Sequence, residues 1–150
     1  MTLTVRNASP REPGATALLT ASHDYLRALY PPEDNYFLSI DALCVPYIAF
    51  FVAERDGQIV ACGALATKHG YGEVKSMFTA PEARSAGTGA LLMQALEAEA
   101  RLQGLPLMRL ETGDDLYPAH RLYQRHGYRL CGPFGDYAAG PHSVFMEKRL

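Results

Sequence analysis

The run Arg84-Ser85-Ala86-Gly87-Thr88-Gly89-Ala90 sets two glycines three and five residues after an arginine, a combination suited to holding an anion. Glycine lets a backbone approach a ligand closely. A helix starting at such a loop offers unpaired N–H groups and the positive end of its dipole to a negative group. Two nucleotide-binding alternatives fail on the letters. A Walker A loop closes with Gly-Lys-Ser/Thr, whereas this run closes Gly-Ala-Leu, and a dinucleotide fingerprint needs a third glycine that is absent at the matching spacing.

The elements that must position this loop follow from hydrophobic period. Gly72 to Thr79 alternates and is closed by Ala80-Pro81, which predicts a strand ending in a turn. Strict alternation would put Glu73 on one face with Lys75, Met77 and Thr79. After the loop, Leu91, Leu92, Ala95, Leu96, Ala98 and Leu102 recur at helical spacing until Gly104 and Pro106 stop the helix.

Upstream, Leu3 to Arg6 predicts a strand and Gly14 to Leu29 a helix with Leu18, Leu19, Ser22, Leu26 and Leu29 inward. Phe50 to Glu54 and Gln58 to Ala66 predict a hairpin across Asp56-Gly57, a dipeptide suited to a type I′ turn. Downstream come a strand at Leu107 to Glu111, a helix near Leu116 to His126, and strands around Tyr128 to Cys131 and Ser143 to Lys148. The order predicts an α+β fold with one mixed sheet, and no repeat or linker divides residues 1–150 into more than one domain.

Composition narrows the function classes. With 150 residues, 48% hydrophobic and 20% charged, the chain lies in the ordinary globular range. A net charge of −2 with scattered Lys and Arg gives no footprint for nucleic acid or an anionic membrane surface. Cys44, Cys62 and Cys131 are odd in number and form no Cys-x-x-Cys pair, so reduced core thiols are expected. Met1 to Pro10 lacks an apolar h-region, so a cytoplasmic protein is expected. His69, His120 and His126 have no metal-site spacing, and no metal is expected.

The pattern of Arg84, Gly87 and Gly89 resembles the pyrophosphate-binding signature of the GCN5-related N-acetyltransferases (GNAT). The run from Ala119 to Tyr128, with Leu122, Tyr123 and Gly127, is similar to a second motif of that superfamily, and the element order matches over nearly the whole chain. The resemblance implies the acyl-CoA N-acyltransferase fold, a mixed and mostly antiparallel sheet of about seven strands flanked by helices on both faces. It implies acetyl-CoA as co-substrate, lying between the Glu73 strand and the Leu107 strand. Its pantetheine would pair with the backbone at Met77 and Thr79, and a backbone N–H near Met77 or Phe78 would face the thioester oxygen. N–H groups of Arg84, Ser85, Ala86, Gly87, Thr88, Gly89 and Ala90 would hold its pyrophosphate.

The same resemblance implies Tyr123 as the acid that protonates the departing CoA sulfur, against the alternative of a packing tyrosine. It implies Glu73 as the base toward the incoming ammonium, against a carboxylate merely paired with Lys75. A homodimer is a further family expectation. Leu116 stands where many members carry Asn or Gln, and Ser85 replaces a common glycine.

Acceptor recognition is expected from Asn35 and Tyr36 and from Asp136 and Tyr137, which mix aromatic rings with polar groups suited to a small amine with an apolar body. The C-terminal segment resembles a bacterial branch of small-molecule N-acetyltransferases, some described as acting on indole-acetate-type compounds. Three functions follow: transfer of acetyl to a small amine through a ternary complex, acetylation of a protein lysine or N-terminus, or non-catalytic acyl-CoA sensing. Cys62 and Cys131 have no His neighbour to activate them, which disfavours an acyl-enzyme.

Overall fold

The computed structural model describes residues 2–84 and 86–150; Ser85, one of the expected cradle residues, lies outside the described residues. The chain runs β1 (Leu3–Asn7), α1 (Pro13–Leu29), α2 (Ile40–Leu43), β2 (Ile48–Arg55), β3 (Gln58–Thr67), β4 (Gly72–Thr79), α3 (Thr88–Leu102), β5 (Leu107–Gly113), α4 (Tyr117–Arg125), β6 (Arg129–Cys131) and β7 (Ser143–Arg149). One sheet has the order β1-β2-β3-β4-β5-β7-β6, with β4 and β5 parallel and every other neighbouring pair antiparallel.

The predicted hairpin forms with Asp56 and Gly57 at φ of 52° and 83°, the pair of positive values that a type I′ turn requires. The sheet buries both faces. Leu18 and Leu19 of α1 and Leu43 of α2 pack with Val52, Cys62 and Ala64 on one side, and Leu92, Met93 and Leu96 of α3 pack with Leu65, Val74 and Tyr123 of α4 on the other. Three details depart from the periodicity. The short helix α2 is capped by Ser39, whose Oγ accepts the Ala42 N–H at 3.1 Å. Leu29 is exposed and Tyr30 is buried in its place, because the helix ends at Leu29 and extended backbone at Tyr30 swings that ring inward. Cys62 alone of the three free thiols is a core residue; Cys44 is exposed and Cys131 half-buried.

The consequential departure lies in β4. Lys75 opposes Ala64 and Phe78 opposes Cys62, so Ser76 and Met77 together face Gly63. Ser76 takes a positive φ of 57° at this bulge, and Cys62 Sγ donates to its carbonyl at 3.2 Å. The extra residue reverses the alternation. Glu73, Lys75 and Phe78 therefore share the α1 face, while Val74 and Met77 pack on the α3 side, correcting the expected common face of Glu73, Met77 and Thr79. Beyond the bulge the parallel strands part: β4 and β5 pair only from Gly72–Met108 to Val74–Leu110.

A buried carboxylate ties α3 to the far strands. Glu97 is 4% exposed and accepts Tyr128 Oη at 2.9 Å and Lys148 Nζ at 2.8 Å. Burial and the Glu97 charge push the Tyr128 phenol far up. A Glu97→Ala change is expected to cost about 2 kcal/mol, below the range for a fully buried pair because Lys148 can still reach water. Urea denaturation checks this, and an unchanged midpoint would refute it.

Candidate active site

The parting of β4 and β5 opens a cleft of about 640 Å³ through the sheet. Val74 to Thr79 form one side of the fork and Glu111 to Gly113 the other. Gly87 to Ala90 at the start of α3 close one end, together with Ala119, Leu122 and Tyr123 of α4. Ser22, His23, Tyr36 and Phe37 close the other end on the α1 face.

The glycine loop leads into the start of α3, as its letters predict. Gly87 caps α3 at φ 84°, a left-handed conformation that a β-branched residue resists, and its carbonyl accepts the Leu91 N–H at 3.2 Å. Gly89 is needed for packing: a Cβ there would come within 2.9 Å of Leu122 Cδ2. Arg84 lines the cleft, yet its Nε donates to the Thr79 carbonyl at 3.3 Å and its guanidinium lies 5.8 Å from the Phe78 ring centre. Two further arginines, Arg121 and Arg125, line the same cleft from α4. Sequence reasoning missed them, although their i, i+4 spacing beside the second motif was a usable signal. Of the expected cofactor contacts, Met77, Phe78, Thr79, Arg84, Gly87, Thr88, Gly89 and Ala90 line the cleft and Ala86 does not.

Tyr123 is 5% exposed and lines the cleft where α4 meets the fork. Among the described residues its hydroxyl has no hydrogen-bond partner, unlike that of neighbouring Tyr128. Burial, aided by the Glu111 charge, pushes its pKa up, so the phenol keeps its proton near neutral pH. Burial also pushes the Cys62 thiol up to about 12, which removes it as a nucleophile.

The acceptor side differs from expectation. Asn35 and Tyr36 line the cleft; Asp136 is exposed and away from it, and Tyr137 stands behind the lining. Tyr137 Oη donates to Glu73 Oε2 at 2.5 Å and accepts Lys75 Nζ at 2.9 Å, while its ring meets Tyr36 edge-on at 5.2 Å. Lys75 also donates to the Tyr36 carbonyl at 3.0 Å and lies 3.6 Å from Glu73. Glu73 is 4% exposed and absent from the cleft lining, so the structure brings it to Lys75 and Tyr137 instead of into the cleft.

Two further groups lining the cleft escaped the sequence. His23 stacks on Phe37 at 4.2 Å, burial lowers its pKa, and among the described residues its Nε2 has no partner. Glu111 lines the cleft, and Ser143 Oγ donates to its Oε2 at 3.0 Å. Its only signal was a carboxylate closing the run Leu107-Met108-Arg109-Leu110-Glu111. Among the described residues no cluster of His, Cys, Asp or Glu could hold a metal, and no helix is long and apolar enough to cross a membrane.

Comparison with known proteins agrees with this geometry. The chain is 44% identical to the IAA acetyltransferase of Azospirillum brasilense over 152 residues, covering 99% of this chain and 98% of that one. It is 32% identical to the uncharacterised N-acetyltransferase YedL of Escherichia coli, covering 98% and 94%. A crystal structure of a putative acyl-CoA N-acyltransferase from Klebsiella pneumoniae superposes with a TM-score of 0.84 at 32% identity, covering 99% and 98%. The Thermoplasma acidophilum PaiA N-acetyltransferase in complex with coenzyme A shares the fold with a TM-score of 0.76 at 16% identity over the full length of both chains. Residues 46–130 match the acetyltransferase (GNAT) domain, and the chain is an acetyltransferase of the GNAT superfamily.

Proposed function

We propose that the chain transfers the acetyl group of acetyl-CoA directly to the amine of a small molecule. The observation that carries this reading is the course of the cleft, which runs from the α3 cradle through the strand fork to a concave end walled by His23, Tyr36 and Phe37. Tyr36 packs on Tyr137 there, and the resulting wall suits a compact amine better than an extended peptide. The name of the A. brasilense relative also contains a small molecule. Three free cysteines fit a reducing compartment such as the cytoplasm.

The lining fits the co-substrate. The α3 N-terminus with Arg84, Arg121 and Arg125 would hold the pyrophosphate, and the parted backbone of β4 would receive the pantetheine. Acetyl-CoA supplies the activated thioester; Tyr123 stands where it can give a proton to the departing sulfur. The raised Cys62 thiol, absent from the cleft lining, supports direct transfer over a cysteine acyl-enzyme.

Calorimetric titration with acetyl-CoA and CoA, followed by thiol release with tyramine, spermidine, aminomethylphosphonate, free amino acids and lysine peptides, tests the reading. Binding with release driven by a small amine is expected. Release driven by peptides alone would reassign the enzyme to proteins, and binding without release would make it an acyl-CoA sensor.

A further inference from the structure

We propose that Glu111, on β5, is the general base that takes the proton of the incoming ammonium; the proposal rests on the acetyltransferase reading above. Glu111 is the first residue of β5 past the last β4 pair, Val74 with Leu110, so it stands at the fork itself. It lies on the α1 face. Its strand partner Phe145 packs against Phe134 and Tyr137, and Ser143, two residues before Phe145, donates to its carboxylate. Tyr123 approaches the same fork on α4, from the opposite face, near enough to feel the Glu111 charge. Base and acid thus flank the fork from two sides, as direct transfer requires, because the amine enters and the sulfur leaves at different corners of one tetrahedral carbon.

Glu73 shares the α1 face but sits in the closed part of the ladder, opposite Arg109, with its carboxylate engaged by Tyr137 and Lys75. Its chemistry is to hold Lys75 and Tyr137 as a wall. The groups facing Glu111 are Lys75 and Glu73 on β4, Ser143 on β7, Tyr123 on α4 and Tyr137 in the connection between β6 and β7. Burial pushes the Glu111 carboxyl above its ordinary value, and the Ser143 hydrogen bond and Lys75 charge offset this only in part. A carboxylate so placed is a better proton acceptor than an exposed one.

The step balances as follows. Glu111 takes one proton from R–NH₃⁺; the freed lone pair forms the C–N bond at the thioester carbon; the C–S bond breaks on collapse. The thiolate takes the Tyr123 proton, Tyr123 is refilled by the second nitrogen proton, and Glu111 releases its proton to solvent.

The test is the pH profile of kcat/KM with acetyl-CoA and the fastest amine of the panel. Wild type is expected to lose activity as pH falls through the raised Glu111 ionisation, since the protonated form cannot accept a proton. Glu111→Gln should lose about 10²-fold or more at pH 7, bind acetyl-CoA as wild type does, and retain only activity that climbs with the free-amine fraction. Glu73→Gln should keep the acid limb. Ser143→Ala, which removes the hydrogen bond that favours the charged form, should move that limb to higher pH and reports on Glu111 even if Glu111→Gln fails to fold. An acid limb that stays at its wild-type pH in Glu111→Gln, that vanishes in Glu73→Gln, or that Ser143→Ala leaves in place overturns the base. Wild type that releases no thiol with any amine overturns the acetyltransferase reading and the base together.

Discussion

Tyr123→Phe is expected to lower kcat by about 10²- to 10³-fold while acetyl-CoA affinity stays within about twofold. The change removes one oxygen and keeps the ring that packs in the core under α4, so the fold is retained. Among the described residues that hydroxyl has no protein partner, and its deletion leaves no buried group unsatisfied. A loss confined to kcat is the signature of an interaction made as the thiolate leaves. A raised KM with normal kcat would instead make Tyr123 a wall for substrate. Single-turnover kinetics with the fastest amine decide between the two.

Gly87→Val should weaken acetyl-CoA binding by about 10²-fold, through backbone conformation alone. Among the described residues nothing lies within 4 Å of a Cβ at Gly87, so no collision with them confuses the result. The cost arises because valine at φ 84° is strained by about 1–3 kcal/mol, and relief of that strain turns the first N–H groups of α3 away from the pyrophosphate. Arg84→Ala should be milder, since the Arg84 guanidinium is partly engaged with Thr79 and Phe78 and since Arg121 and Arg125 also line the cleft. Calorimetry on the two variants checks the order, and equal affinities would refute it. Gly89→Val is a poorer probe because it also forces α3 away from Leu122.

Much of this site was legible because it depends on local chemistry. Gly87 at a helix start, the Asp56-Gly57 turn and the Ala119 to Tyr128 motif each declare themselves within a few residues, and the helix and strand periods carry the element order. Errors arose where one inserted residue changed a face. Periodicity projected through Ser76 put Glu73 with Met77 and Thr79, but the bulge opposite Gly63 divides that strand into two registers. Asp136 and Tyr137 were grouped with the acceptor site by composition, whereas packing sends Tyr137 behind Lys75 and leaves Asp136 in water.

The letters alone therefore determined the family, the main strands and helices, the glycine-led start of α3 and the placement of Tyr123 after Leu122 on a helix, because each rests on spacing along a single segment. Tertiary structure alone decided which carboxylate lines the cleft. Glu73 and Glu111 lie on neighbouring parallel strands, and no periodicity tells them apart. The last β4–β5 pair, Val74 with Leu110, leaves one inside the ladder and the other at the fork, and that ending is set by the bulge and by packing on both faces of the sheet.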